Sequence, residues 1–257
     1  MIKFFSKFSS SKAITRDPPA LAPEGLRIYA VGDIHGRADL LDEMLKLIEE
    51  DLQNSPTQQT IEVFLGDYID RGPEIVRVIE TLMSHSPVCD ERICLKGNHE
   101  DALLRFLDDS RVLTSWRNFG GIDTLYAYGV KPALPRNTHD HESLQREFEE
   151  CFPTAHLKFL EELPLSTAYG DYFFVHAGVR PEFDLDAQEE EDLLWIRGPF
   201  LESKADFGKV IIHGHTPQDE PDVKFNRINI DTGAWASGKL TCIVLEGQEQ
   251  RFLSTQA

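Results

Sequence analysis

The 257-residue chain has few cysteines, few basic residues and no long apolar run. Its four cysteines (Cys89, Cys94, Cys151 and Cys242) form no disulfide-rich pattern. A reducing compartment is therefore the expectation. Cys89 and Cys94 lack a second paired spacing and read as inert thiols, not zinc ligands. Lys and Arg total 26 against 44 Asp and Glu, a net charge of −18. That balance excludes a general nucleic-acid binder, which needs a basic footprint. It also means that any phosphate site must create its own local positive charge. No apolar run approaches the roughly 18–20 residues of a membrane-spanning helix. The first residues, MIKFFSKFSSSK, lack the apolar core of a signal peptide. A cytoplasmic location is expected. No GxxxxGK(S/T) run and no GxSxG elbow occur, so neither a P-loop nor a serine-hydrolase site is supported.

Residues 1–24 read as a flexible tail, rich first in Ser and Lys and then in Pro and Ala. Phe4, Phe5 and Phe8 with Lys3, Lys7 and Lys12 leave room for a weak membrane or partner contact through this tail. From Leu26 the pattern is regular. RIYAV ends at Gly32-Asp33, IEVFL ends at Gly66-Asp67, and ICLK ends at Gly97-Asn98-His99. Each strand-like run precedes a helical segment, the first carrying Leu40, Leu41, Met44, Leu45, Ile48 and Leu52 on one stripe. Strand, polar loop and helix repeated three times predict α/β-type layers with parallel pairing. Loops at the carboxyl ends of such strands converge on one rim, where sites are usually built. Residues from about 110 to 165 read as a helical insertion or lid within the same domain, 25–257. Strand-like runs return at YFFVH, VIIH, INI and LTCIVL.

The candidate ligands follow these runs: Asp33 and His35 in GDIHG, Asp67 in GDYID, Asn98 in GNHE, His176 in VHAG and His215 in HGHT. Glycine beside each lets the chain turn sharply and aim a short side chain at the rim. A mixed oxygen and imidazole donor set suits Mn, Fe or Zn better than Ca. Any one of these residues alone is an ordinary turn or core residue. As an ordered set in one repeated context they point to a metal centre.

GDIHGR, GDYIDRGP and GNHE, followed by the VHAG and HGHT histidines and NIDTGA, resemble the calcineurin-like metallophosphoesterase superfamily. More narrowly they resemble the PPP serine/threonine protein phosphatases in their small bacterial and phage form. The resemblance runs from about Ile28 to Leu245. It implies an α+β chain folded as a four-layer α/β/β/α sandwich. It implies two divalent ions, manganese first in expectation. Asp33 and His35 would hold one ion, Asn98, His176 and His215 the other, and Asp67 would bridge them about 3.5–4 Å apart. A water between two dications is acidified and attacks phosphorus directly. His99 would be the general acid, with Asp70 fixing its imidazole. Arg71 would clamp the phosphoryl oxygens, and Arg197 in LLWIRGPF would join it, with Arg180 a weaker candidate. The implied substrate is a phosphoprotein or phosphopeptide. Alternatives are symmetrical hydrolysis of diadenosine tetraphosphate and broad or tyrosine phosphatase activity. Asp70 before Arg71, and Glu100 in place of the Asp of GNHD, favour the phosphoprotein.

Overall fold

The computed structural model describes residues 16–83, 87–131 and 138–256. Ten strands are present: β1 (Leu26–Val31), β2 (Gln59–Phe64), β3 (Glu91–Cys94), β4 (Ser166–Tyr169), β5 (Tyr172–Val175), β6 (Val210–His213), β7 (Asp222–Val223), β8 (Arg227–Asn229), β9 (Thr241–Glu246) and β10 (Glu249–Ser254). The α-helices are α1 (Ala38–Asn54), α2 (Ile75–Met83), α3 (Asn98–Asp108), α4 (Leu113–Trp116), α5 (Gly121–Ala127), α6 (Thr138–Cys151), α7 (Thr154–Glu161), α8 (Glu190–Trp195), α9 (Gly198–Leu201) and α10 (Ala234–Ser237).

The strands form two five-stranded sheets, ordered β10-β9-β1-β2-β3 and β4-β5-β6-β8-β7. In the first, β1, β2 and β3 run parallel, in a register that sets Leu26 opposite Gln59 and Val31 opposite Phe64. β9 and β10 join that sheet antiparallel. In the second, β5, β6 and β8 run parallel between antiparallel β4 and β7.

Side-chain alternation explains the layers. Ile28 and Ala30 of β1, with Ile61 and Val63 of β2, pack against Tyr172, Phe174, Val210 and Ile212 of the other sheet. Tyr29 and Val31 point the other way, onto Leu41, Met44 and Ile48 of α1 and Val78 and Ile79 of α2. Phe173, Val175 and Ile211 turn outward onto Leu193 and Phe200 of α8 and α9. Central strands buried on both faces are largely apolar, hence the runs in the sequence; the charges they bury, Arg27 and Glu62, are paired with Glu246 and Arg92. Each large side chain so buried contributes roughly 1.5–3 kcal/mol. The expected four-layer α/β/β/α sandwich is the fold observed.

Three details differ from the sequence expectation. β3 starts two residues earlier, and α3 begins at Asn98, so Asn98 and His99 open a helix. The sequence pattern does not predict β4, β7 and β10; β10 is largely half-exposed and polar, without an apolar run to mark it. Residues 16–24, assigned to the tail, lie on the body. Ala20 and Ala22 are buried, Leu21 N donates to Asp171 and Ala22 N donates to the Gly247 carbonyl. Their Pro and Ala content gave no strand signal, yet the extended backbone finds partners. The Phe and Lys cluster at 3–12 lies outside the described residues.

The segment expected as a helical insertion shares one core with α1 to α3, through Leu113, Trp116, Leu125, Phe148 and Leu160. No helix among the described residues is long and apolar enough to cross a membrane.

Candidate active site

The loops after β1, β2 and β6 turn by an uncommon route. His35, Asp67, Asp70, Arg71 and His215 all have positive φ, between 45° and 67°. Non-glycine residues in that region cost about 1–3 kcal/mol each and persist where the surroundings enforce them. The enforcing contacts are specific. His35 N and Ile34 N both donate to the Asp67 carbonyl, and Gly36 N donates to that of Tyr68. Asp70 N donates to Thr124 Oγ1, and His215 N donates to Asp33 Oδ2 at 3.0 Å. Gly97 is required where β3 meets α3, because a Cβ there would overlap the Asp67 and Glu100 carboxylates.

These turns bring the expected residues together. His35, Asp67 and His99 form one group with ligand atoms within 4.8 Å of one another; Asp67, His176 and His215 form a second. Asp67 belongs to both. His35 Nε2 lies 3.5 Å from Asp67 Oδ2, and His176 Nε2 lies 3.4 Å from Asp67 Oδ1. Asn98 Oδ1 sits 2.8 Å from His176 Nε2 and 2.7 Å from His215 Nδ1. Asp33 belongs to neither group, but it lines the same cavity as Asp67, Asn98 and His215, and its Oδ2 accepts the His215 N–H.

The donor chemistry fits metal ions. Burial holds His176 below the ordinary histidine value, so it carries a single proton. The Leu65 carbonyl accepts that proton from Nδ1 at 2.9 Å. The Nε2 lone pair therefore faces the lone pairs of Asn98 Oδ1, an arrangement that a shared cation satisfies. His35 repeats the pattern, with Nδ1 2.8 Å from the Ile69 carbonyl and Nε2 turned to Asp67. Burial, with His99 nearby, keeps His35 well below its ordinary value; burial, with His176, takes His215 down to about 2. Neutral imidazole is the ligand form. Asp33 Oδ1 is buried with no hydrogen-bond partner among the described residues. Burial and the neighbouring Asp231 and Asp67 carboxylates raise Asp33 well above its usual range. Burial would raise Asp67 too, but His176, His99, His35 and His215 outweigh it and hold Asp67 low.

His99 belongs to the first group and also has partners outside it. Its Nδ1 is 2.5 Å from Asp70 Oδ2, and Arg71 Nη2 donates to its Nε2 at 3.1 Å. This network places the resting proton on Nδ1 and leaves Nε2 to gain one. Burial disfavours the imidazolium, but Asp67 and Asp70 together raise His99 above its ordinary value. Asp70 is itself held by Trp116 Nε1 at 2.8 Å and by the Thr124 hydroxyl. Arg197 Nε donates to His215 Nε2 at 3.0 Å, so one arginine stands beside each ligand group. Arg180 is elsewhere: its guanidinium grips Asp192 with two nitrogens. The cluster opens into a cavity of about 540 Å³, lined in part by Arg71, Arg197, Phe119, Trp195 and Trp235.

Sequence reasoning missed the support around the ligands. Glu100, whose motif points to substrate class in the sequence, does not line the cavity. It accepts backbone N–H bonds from Asp67 and Tyr68 at 2.8 Å, Gly97 at 2.9 Å and Ile69 at 3.3 Å. Burial and the Asp67 charge push it up to about 7. Asp70 is buried in the same manner. Neither position therefore discriminates substrates by contact. Asp231 of the NIDTGA segment is a further support that the motif alone does not reveal: it is buried and accepts the Gly233 N–H at 2.9 Å.

Comparison with known proteins agrees with this geometry. The family described as calcineurin-like phosphoesterase matches residues 26–238. A bis(5′-nucleosyl)-tetraphosphatase PrpE, asymmetrical, of Oceanobacillus iheyensis is 27% identical over 238 residues, covering 84% of this chain and 87% of the relative. A crystal structure of a candidate diadenosine tetraphosphatase superposes with a TM-score of 0.60 at 17% identity, over 91% of this chain and 99% of the other. A cold-active protein tyrosine phosphatase superposes with a TM-score of 0.59 at 16% identity, over 97% and 84%. At those identities the structural likeness speaks for the fold alone. The tetraphosphatase relative does not carry the protein-phosphatase subtype expected from the motifs. With the matched family spanning most of the chain and the ligand cluster in place, the protein belongs to the calcineurin-like phosphoesterases, hydrolases that cleave phosphoesters with bound metal.

Proposed function

We propose that the protein hydrolyses dinucleoside polyphosphates, and that it does so asymmetrically, releasing a nucleoside mono- and a nucleoside triphosphate. This prefers the alternative substrate class over the phosphoprotein that the motifs favoured, and the asymmetrical mode over the symmetrical one. The observation that carries it is the placement of Arg71 and Arg197, one beside each ligand group, at the wall of a roomy cavity. A polyphosphate brings a row of negative charges to a chain of net charge −18. Two fixed guanidinium forks and the metal charges supply the local attraction it needs. The tetraphosphatase name of the Oceanobacillus relative supports the same reading.

Asp33, His35 and Asp67 would hold one ion and Asp67, Asn98, His176 and His215 the other, a mixed donor set suited to manganese, iron or zinc. When bound, the ions supply charge neutralisation for the phosphoryl oxygens and acidify water. The chain's own residues do the rest. Arg71 and Arg197 orient the phosphoryl oxygens. His99 delivers a proton from Nε2 to the departing oxygen, worth typically 10²–10⁴-fold in such sites. Asp70 positions His99 and favours its charged form.

The test is a side-by-side assay in Mn of diadenosine tetraphosphate and phosphoserine, phosphothreonine and phosphotyrosine peptides. The expected result is a higher kcat/KM for the dinucleotide, with AMP and ATP as products. A preference for any phosphopeptide overturns the reading.

A further inference from the structure

Four large apolar side chains are well exposed among the described residues: Leu21, Tyr126, Phe183 and Trp235. Of these, Trp235 alone lines the active-site cavity. The Arg71 guanidinium lies 5.2 Å from the indole centroid, yet the residue remains 44% exposed. Its support is firm. Arg37 Nη1 donates to the Ala234 carbonyl at 3.0 Å, and the Ser237 hydroxyl donates to the Thr232 carbonyl at 2.8 Å. Short α10 is thereby tied at both ends, so the backbone that carries the ring is fixed at the cavity wall. The other aromatics of the cavity are already engaged. Phe119 packs edge-on to His99 and Trp195, and Trp195 packs edge-on to His215.

We infer that Trp235 is the platform for the nucleobase next to the reacting phosphorus, and that it thereby places the α-phosphorus at the metal centre. The inference rests on the dinucleoside polyphosphate reading. Arg71 touches both the proton donor, His99, and the indole. A phosphoryl group held by Arg71 therefore has Trp235 within the reach of one sugar. Only the α-phosphoryl group is separated from a base by one sugar alone; a β-phosphoryl group is one phosphate further away. In the step that follows, water oxygen bonds to the α-phosphorus and the bond from that phosphorus to the α–β bridging oxygen breaks. The departing nucleoside triphosphate takes the proton from His99 Nε2, and the proton shed by the water restores His99. One dinucleoside tetraphosphate and one water give one nucleoside monophosphate and one nucleoside triphosphate.

The experiment hydrolyses diadenosine tetraphosphate with the full chain in Mn and heavy-oxygen water, then locates the label by mass spectrometry. Label in AMP supports the placement. Label in ATP, or two ADP as products, overturns it while leaving dinucleotide hydrolysis intact. No dinucleotide turnover by a chain that cleaves phosphopeptides removes the substrate reading and this inference with it. Trp235→Ala is then compared with Trp235→Phe. Loss of base stacking raises KM for diadenosine tetraphosphate roughly ten- to a hundred-fold more than KM for glycerol phosphate, and Phe restores most of it. Equal changes for the two substrates overturn the stacking role.

Discussion

Glu100→Ala removes a buried carboxylate that accepts four backbone N–H bonds, from Asp67, Tyr68, Ile69 and Gly97. A buried donor left without a partner costs about 1–3 kcal/mol. Water entering the vacated space would satisfy part of the set, so a net loss of about 3–5 kcal/mol is expected. The damage is not only to stability. Asp67 is held at a φ of 53° by this anchor, and Asp67 is common to both ligand groups. Losing such support typically weakens metal affinity about 10–100-fold. Glu100→Gln keeps one acceptor oxygen and sets an amide N–H against the remaining donors, so about half the loss is expected. Urea denaturation in chelator reads the stability, and Mn titration reads the affinity. Glu100→Asp, which recreates the alternative GNHD motif, should leave the ratio of dinucleotide to phosphopeptide turnover unchanged. The reasoning is refuted if Glu100→Ala unfolds within about 0.5 kcal/mol of the parent and binds Mn as well.

Asp70→Asn should lower kcat about 10–100-fold with little change in KM or metal content, because it disturbs the proton donor and not the ligands; emptied metal sites by elemental analysis would contradict that role. Far from the site, burial disfavours the Asp51 carboxylate, but Arg251, Tyr29 and Arg27 outweigh it and hold Asp51 below its usual range. A lowered acid stabilises the fold fully above its unfolded value and loses that contribution as pH falls through the folded value. Asp51→Asn should therefore cost about 1–3 kcal/mol at neutral pH, and the gap to the parent should close below about pH 4. Urea denaturation across that range checks it, and a gap independent of pH would contradict it.

What the sequence reveals and what it hides follow from physics. The central strands are legible because burial on both faces makes them apolar, and the metal ligands because each sits just past such a strand beside glycine. β10 escapes notice because half of its surface stays wet. The partners of Asp70 escape for another reason: Trp116 and Thr124 lie 46 and 54 residues away, and only the folded chain brings them to the carboxylate. Glu100 is visible in its motif, but its role is not. A glutamate three residues past a glycine looks the same whether it meets a ligand or four backbone amides. Trp235 is one tryptophan among three until its exposure and its stacking on Arg71 are known.

The central claim is that two ligand groups share a single carboxylate. Metal counting on the parent and on Asp67→Asn, after equilibration with Mn and removal of free ion, tests it most directly. The parent should retain two ions per chain and the variant neither, with phosphoester hydrolysis lost in parallel. A folded Asp67→Asn chain that still holds one tightly bound ion would contradict the shared carboxylate, and with it the architecture assigned to the site.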